Sequence, residues 1–191
     1  TEAYMAIKIY IDQGHNPVNP NAGAEGNGYR EQDLVYAIGI ALSEILSSAG
    51  METRLSRPTS VTQLGNSTAT SLAARVNDAN SWGADYFISL HTNASTSPSA
   101  NGSEAFVYRL GSSAAVLAKN ILARMTTAVG FANRGVFARP TLYVLRKTRM
   151  PAVLVEIGFI TNAYEASLMA EEPYRFANGI ANGIFDYLGW A

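Results

Sequence analysis

The chain is 191 residues long, room for one domain but hardly for two, and folding at that length removes roughly 70% of the unfolded chain's surface. Hydrophobic residues make up 48% and charged residues 15%, which excludes disorder, and the count of 0 cysteines removes thiol catalysis, disulfides and thiolate metal sites together. With 14 Lys+Arg against 15 Asp+Glu the formal net charge is -1, so no global field draws in a nucleic acid or an anionic membrane.

The N-terminal Thr1-Glu2-Ala3-Tyr4 has neither a basic n-region nor an apolar h-region and reads as free of a secretion signal. No run of about 18 apolar residues follows anywhere, so no transmembrane helix is expected. Ile7-Lys8-Ile9-Tyr10-Ile11-Asp12 is β-branched and aromatic, a predicted strand, and Gly14, Asn16, Pro17 and Pro20 turn the chain after it. Leu34, Ile38, Leu42 and Ile45 recur at helical spacing, with Gly50 placed to end the helix. Met51 to Leu55 reads as a second strand, and Arg57 to Ser71 as a polar surface loop. A helix over Leu72 to Trp82 leads into a strand over Asp85 to Leu90. After a loop from Ser95 to Gly102 come a strand over Glu104 to Tyr108 and a helix through Val116, Ile121, Leu122, Met125 and Val129 that stops at Gly130. Leu142 to Leu145 and Ala152 to Ile157 read as further strands, and Phe176, Ile180, Ile184 and Leu188 mark a final helix.

This alternation predicts an α/β fold: one domain, core 7–189, with a mostly parallel sheet of about six strands and helices on both faces. Such sheets hold ligands outside the carboxyl ends of their strands. Both histidines fall there, His15 after the first strand and His91 after the Asp85–Leu90 strand. Glu156 lies inside the apolar run Val153-Leu154-Val155-Glu156-Ile157, where a carboxylate is costly unless a cation or strong donors meet it. A single histidine at a strand end is more often a hydrogen-bonded structural residue, and Glu156 alone could pair with Arg146 or Arg149. Their coincidence at one sheet edge favours a metal site of two imidazoles and a carboxylate, with a position left for water. Spacing leaves the third ligand open among Glu25, Glu31, Asp33 and Asp12, and the absence of a His-Glu-x-x-His helix excludes the common helical zinc-protease arrangement.

Four blocks in chain order carry a specific resemblance: Ile11-Asp12-Gln13-Gly14-His15, Gly28-Tyr29-Arg30-Glu31, Ser89-Leu90-His91-Thr92-Asn93 and Val155-Glu156-Ile157-Gly158-Phe159-Ile160-Thr161-Asn162. Together with Leu142-Tyr143-Val144-Leu145 and Met150-Pro151-Ala152-Val153, the chain from about Lys8 to Leu188 resembles the zinc-dependent N-acetylmuramoyl-L-alanine amidases of autolysins, spore-lysis enzymes and phage endolysins. The resemblance implies one zinc ion held by His15, Glu31 and His91, with Glu156 as the catalytic carboxylate. The implied reaction cuts the amide between the lactyl group of N-acetylmuramic acid and L-alanine in bacterial peptidoglycan. It further implies a secreted protein acting at the cell wall, expected as a monomer; charge and hydropathy add the expectation of no nucleic acid and no membrane insertion, and no wall-binding repeat is read in this chain, so no wall-binding module is expected in it. The family often has glycine after the first histidine, where this chain has Asn16-Pro17, so that loop is a point of departure. Asn16, Asn93, Tyr29 and Tyr143 are candidate substrate contacts, each weighed against a turn or packing role. Arg75, on the helix before Asp85, is read as half of a structural ion pair. The rival readings are a zinc metallopeptidase cutting within the stem peptide, a glycosidase using Glu31 and Glu156, which leaves the histidines unexplained, and a non-catalytic wall-binding module.

Overall fold

The computed structural model describes residues 6–190; Thr1-Glu2-Ala3-Tyr4, read above as free of a secretion signal, lies outside the described residues. Strand β1 (Lys8–Gln13) leads through the short hairpin β2 (Glu25–Gly26) and β3 (Tyr29–Arg30) into α1 (Glu31–Ser48) and β4 (Glu52–Leu55). Then come α2 (Thr68–Trp82), β5 (Tyr86–Asn93), β6 (Ser103–Val107), α3 (Ser113–Val129), β7 (Asn133–Ala138) and α4 (Tyr143–Lys147). β8 (Ala152–Phe159), α5 (Ala163–Glu171) and α6 (Pro173–Leu188) complete the chain.

The main sheet has the order β4-β1-β5-β8-β6-β7. β4, β1, β5 and β8 run parallel, β6 runs antiparallel to β8, and β7 runs parallel to β6. The central strands read as nearly unbroken apolar runs because both faces are covered. Ile9, Ile11, Val153, Val155 and Ile157 project into a core shared with α1, α3 and α6. On the opposite face Tyr10, Phe87, Phe106 and Leu154 pack with residues of α2 and α4. Because successive side chains alternate between faces, Asp12, Ser89, His91 and Glu156 all belong to this second, more thinly covered face.

The predicted α/β class, the mostly parallel six-strand sheet and the two helical layers are all present. Individual elements differ. Leu142–Leu145 is not a strand: Leu142 is the N-cap of α4 and Tyr143–Leu145 its first residues, since four apolar residues fit either state and only their burial against the sheet decides. The sixth strand is instead β7, an exposed edge strand whose Arg134 and Gly135 hide any strand signal. Helix α2 starts at Thr68, inside the predicted loop, because Ser67 and Thr70 form a reciprocal capping box. Arg57 and Ser71, assigned to that surface loop, are 0% exposed. Val116, assigned to an apolar stripe, is 51% exposed. Strand β5 runs on to Asn93, so His91 lies within the strand rather than past it.

Candidate metal centre and its cleft

The candidate site forms where β1, β5 and β8 lie side by side. After β1, Gly14 N–H donates to the Leu90 carbonyl (3.0 Å), and the chain turns at His15 with φ +65°, a backbone state a non-glycine residue occupies at a cost. Arg75 holds that turn. Its buried guanidinium donates to the carbonyls of Gln13 and His15 and to Asp12 Oδ1 (2.6 Å), while Ser89 Oγ donates to Asp12 Oδ2 (2.7 Å). The expected structural ion pair of Arg75 is therefore present, with Asp12 as its partner, and Asp12 is removed from the competition for a metal.

Glu31 opens α1, directly after the β2–β3 hairpin. Its Oε1 accepts from Thr92 N–H and its Oε2 from Ala24 N–H, both at 2.9 Å, so the carboxylate is clamped from two segments. Oε1 then lies 3.2 Å from His15 Nε2 and 3.1 Å from His91 Nδ1, and the two ring nitrogens are 3.2 Å apart. Three ligand atoms about 2.0–2.2 Å from a tetrahedral centre stand about 3.4 Å from one another, close to these edges. Two imidazole nitrogens facing each other and one carboxylate oxygen cannot satisfy all three edges with a single proton; one cation satisfies them together. The donor set and its closeness thus fit a metal ion, and it is the group of this kind found among the described residues.

The electrostatics are those of a compact charge cluster. Burial opposes ionisation of Glu31, but hydrogen bonds and charge from both histidines hold its carboxyl far below the usual range. Burial would lower His91, and Glu31 outweighs it, so the net displacement is upward. Glu156 stands opposite His91 in the β5–β8 register. Burial pushes its carboxyl up to about 7, His91 pulls against that, and the nearby charges of Glu31 and Glu104 push the same way as burial. Its Oε2 is buried without a hydrogen-bond partner, and neither Arg146 nor Arg149 pairs with it. A carboxyl left this way, beside the ligand trio, is free to exchange a proton with something in the cleft. That cleft has a volume of about 440 Å³, with His15, His91 and Glu156 along its lining together with Phe106, Leu142 and Leu154.

Residues 9–186 match the N-acetylmuramoyl-L-alanine amidase family. The chain belongs to that family. It is 36% identical, over 93% of its own length and 67% of the relative's, to the sporulation-specific N-acetylmuramoyl-L-alanine amidase of Bacillus subtilis. It is 37% identical to N-acetylmuramoyl-L-alanine amidase LytC of the same organism, covering 94% of this chain but only 35% of that protein. Among solved structures, the catalytic domain of CwlV, an amidase from Bacillus (Paenibacillus) polymyxa, superposes with a TM-score of 0.84 at 32% identity, covering 97% of this chain and 99% of that one. The CwlD amidase of Clostridioides difficile, solved in complex with the GerS lipoprotein, gives 0.88 at 27% identity, covering 97% of this chain and 100% of that chain.

In this member of the amidase family the structure brings His15, Glu31, His91 and Glu156 together. Of the carboxylates left open by spacing, Glu25 is exposed and Asp33 is paired with Arg30 on the helix surface. Asn16 is 0% exposed: its amide donates to the carbonyls of Pro20 and Leu64 and its Oδ1 accepts from Leu64 N–H, so it pins two loops and has no surface for substrate. Tyr143 packs against the α2–α4 side of the core and Tyr29 against the other, away from the cleft lining. Asn93 does line the cleft, donating to Glu104 Oε1 at 2.8 Å. Glu104, opposite Glu156 in register, is a further cleft residue; at the start of its predicted strand it lacks the apolar residues on both sides that single out Glu156. Arg139 and Thr141 also line the cleft and come from the segment after β7, which carried no sequence signal at all.

Proposed function

We propose that this chain hydrolyses the amide bond between the lactyl group of N-acetylmuramic acid and the L-alanine of the peptidoglycan stem peptide. One zinc ion would be held by His15 Nε2, Glu31 Oε1 and His91 Nδ1, a nitrogen and oxygen donor set suited to that metal. When bound, zinc supplies a Lewis acid that polarises the amide carbonyl and makes water a far stronger acid, from a pKa of about 16 toward about 7. The backbone amides of Thr92 and Ala24 keep Glu31 aimed while substrate enters and leaves, which preserves the geometry of the trio. Glu156 would accept a proton from the attacking water and return it to the departing nitrogen, both tasks open to a carboxyl that no other side chain engages. Phe106, Leu142 and Leu154 present apolar walls that limit bulk water at the reacting bond. The chain acts as one catalytic domain, as a monomer, at the bacterial cell wall outside the membrane.

The observation that carries this reading is the convergence of the three ligand side chains beside a partnerless buried carboxyl, in a chain of this family. Glu156→Gln keeps the shape and removes the proton acceptor. The variant is expected to retain one zinc per chain by elemental analysis while wall hydrolysis falls about 100- to 10,000-fold. Lysis at the wild-type rate would remove Glu156 from the mechanism. Product analysis separates the amidase from a peptidase: new amino groups on L-alanine are expected, not shortened peptides still attached to glycan.

A further inference from the structure

The near-neutral total conceals a separated charge: residues 105–155 contain eight Lys or Arg and no Asp or Glu. Arg124 is neutralised by Asp186 and Arg134 by Glu104. Arg109, Arg139, Arg146 and Arg149 are exposed and meet no carboxylate within ion-pair distance among the described residues. Arg139 is the one full cation on the lining of the catalytic cleft, where its guanidinium stands 4.9 Å from the centre of the Phe106 ring. Arg109, Arg146 and Arg149 line a second cleft of about 380 Å³ with no carboxylate on its lining.

The two clefts lie along one line. Glu156, Leu154 and Ala152 alternate onto the same face of β8, and Phe106 is opposite Leu154 in the register. Leu154 and Phe106 belong to the first cleft and Ala152 to the second, while α4 and its N-cap wall both, through the cap residue Leu142 in one and Leu145 with Arg146 in the other. From Glu156 to Ala152 is four residues of strand, about 13 Å, the length of about four residues of extended peptide.

We propose that this arginine strip binds the peptide arm of the substrate, an acidic peptide whose chain runs from the scissile amide past Arg139 toward Arg146 and Arg149. The inference rests on the amidase reading of the site and adds a direction and a charge preference to it. The strip begins inside the catalytic cleft, so its occupant is continuous with the bond being cut. A neutral glycan offers four guanidinium groups no counter-charge, whereas carboxylates match both their charge and their planar fork.

The test compares soluble muramyl-peptides of the same length with free or amidated peptide carboxylates, on the zinc-loaded wild type and on Arg139→Ala, Arg146→Ala and Arg149→Ala. Wild type is expected to favour the acidic form in kcat/KM by about three- to tenfold per engaged carboxylate at low salt, and the preference is expected to shrink with added salt. Each arginine variant is expected to reduce that ratio, and to do so through KM for the acidic peptide. Lys119→Ala removes an exposed cation, without an ion-pair partner among the described residues, from α3 on the other side of the sheet, and the ratio is expected to stay at its wild-type value. An unchanged ratio in all three arginine variants, or an equal drop in Lys119→Ala, overturns the proposal. A phosphodiester polymer that inhibits wild type but not the arginine variants, with no acidic preference in wild type, assigns the strip to that polymer and overturns it as well. Absence of cleavage of either peptide by the zinc-loaded wild type counts against the amidase reading. In that case, titration of the free acidic peptide decides the strip separately: binding weakened by the arginine substitutions supports it, and no binding overturns it.

Discussion

Gly14 is the place where one missing side chain holds the site together. A Cβ there would stand 2.5 Å from His91 Cε1 and 2.7 Å from His91 Nε2, contacts that real atoms do not make. The Leu90 carbonyl oxygen, 2.6 Å from that Cβ, is also bonded to Gly14 N–H, so the β1–β5 ladder must give locally and the imidazole must move with it. Gly14→Ala is therefore expected to weaken zinc binding by about 10- to 100-fold, the usual effect of disturbing a ligand's support. Competition with a coloured chelator measures this, and wild-type affinity in a folded variant would mean that the ring relaxes freely. Gly23 plays the matching part for Glu31, since a Cβ there would meet Glu31 Cβ and Oε2 at 2.8 Å.

At the scale of elements, the α3–α6 contact depends on two glycines one helical turn apart. Gly179 and Gly183 let α6 approach until added Cβ atoms would lie 2.6 Å from Met125 Cα and 2.4 Å from Ile121 Cα. Backbone atoms cannot rotate aside as a side chain can, so the helices would have to separate and uncover Phe176, Ile180 and Ile184, which are now at most 1% exposed. Gly183→Ala gains about 1 kcal/mol of helix propensity but is expected to be a net loss, because overpacking of a close contact costs about 1–3 kcal/mol and separating the helices adds exposed apolar surface. A lower urea midpoint with wild-type zinc affinity is the expected result, as α6 lies on the face away from the metal centre. A midpoint at or above wild type would show that the interface yields more easily than its backbone distances imply. Helix α4 illustrates the opposite dependence: five residues with two buried side chains have little helical stability of their own and take their state from the sheet beneath.

For the whole molecule, the buried Arg75–Asp12 pair links the end of β1 to α2 across the face that carries the site. Burial would raise the Asp12 carboxyl, but the charge of Arg75 and the Ser89 hydrogen bond outweigh it and hold it below its ordinary value of about 3.9. A depressed folded-state pKa means that the unfolded chain takes up the proton first. The contribution is then complete above about pH 4 and is lost as pH falls through the folded-state value. The metal-free protein is expected to lose stability steeply below about pH 4, and Asp12→Asn to flatten that slope. At neutral pH Asp12→Asn is expected to cost about 3–5 kcal/mol, because it leaves the Arg75 guanidinium buried without a counter-charge. Urea titrations from pH 2 to pH 7 test both statements, and an equal acid slope in variant and wild type would contradict the first.

Much of this was legible in the residues themselves. The β-branched runs and helical spacings specify an α/β chain because period and propensity are local properties. Both histidines and Glu156 announced themselves as polar groups where strands should be apolar or ending. The choice of Glu31 over Glu25 and Asp33 from the residues alone is not local: three carboxylates near the start of one helix look alike until the hairpin that carries Glu25 has folded and Ala24 and Thr92 N–H fix which one faces inward. The state of Leu142–Leu145 and the strand at Asn133–Ala138 were likewise decided by the surfaces they meet. So was the alignment of four arginines into one strip, since residues up to 40 apart in the chain become neighbours only when β6, α4 and β8 pack together. Local order in the sequence determines which elements form and which side chains are costly to bury; the distances that make a metal site or a charged path exist only after those elements have packed.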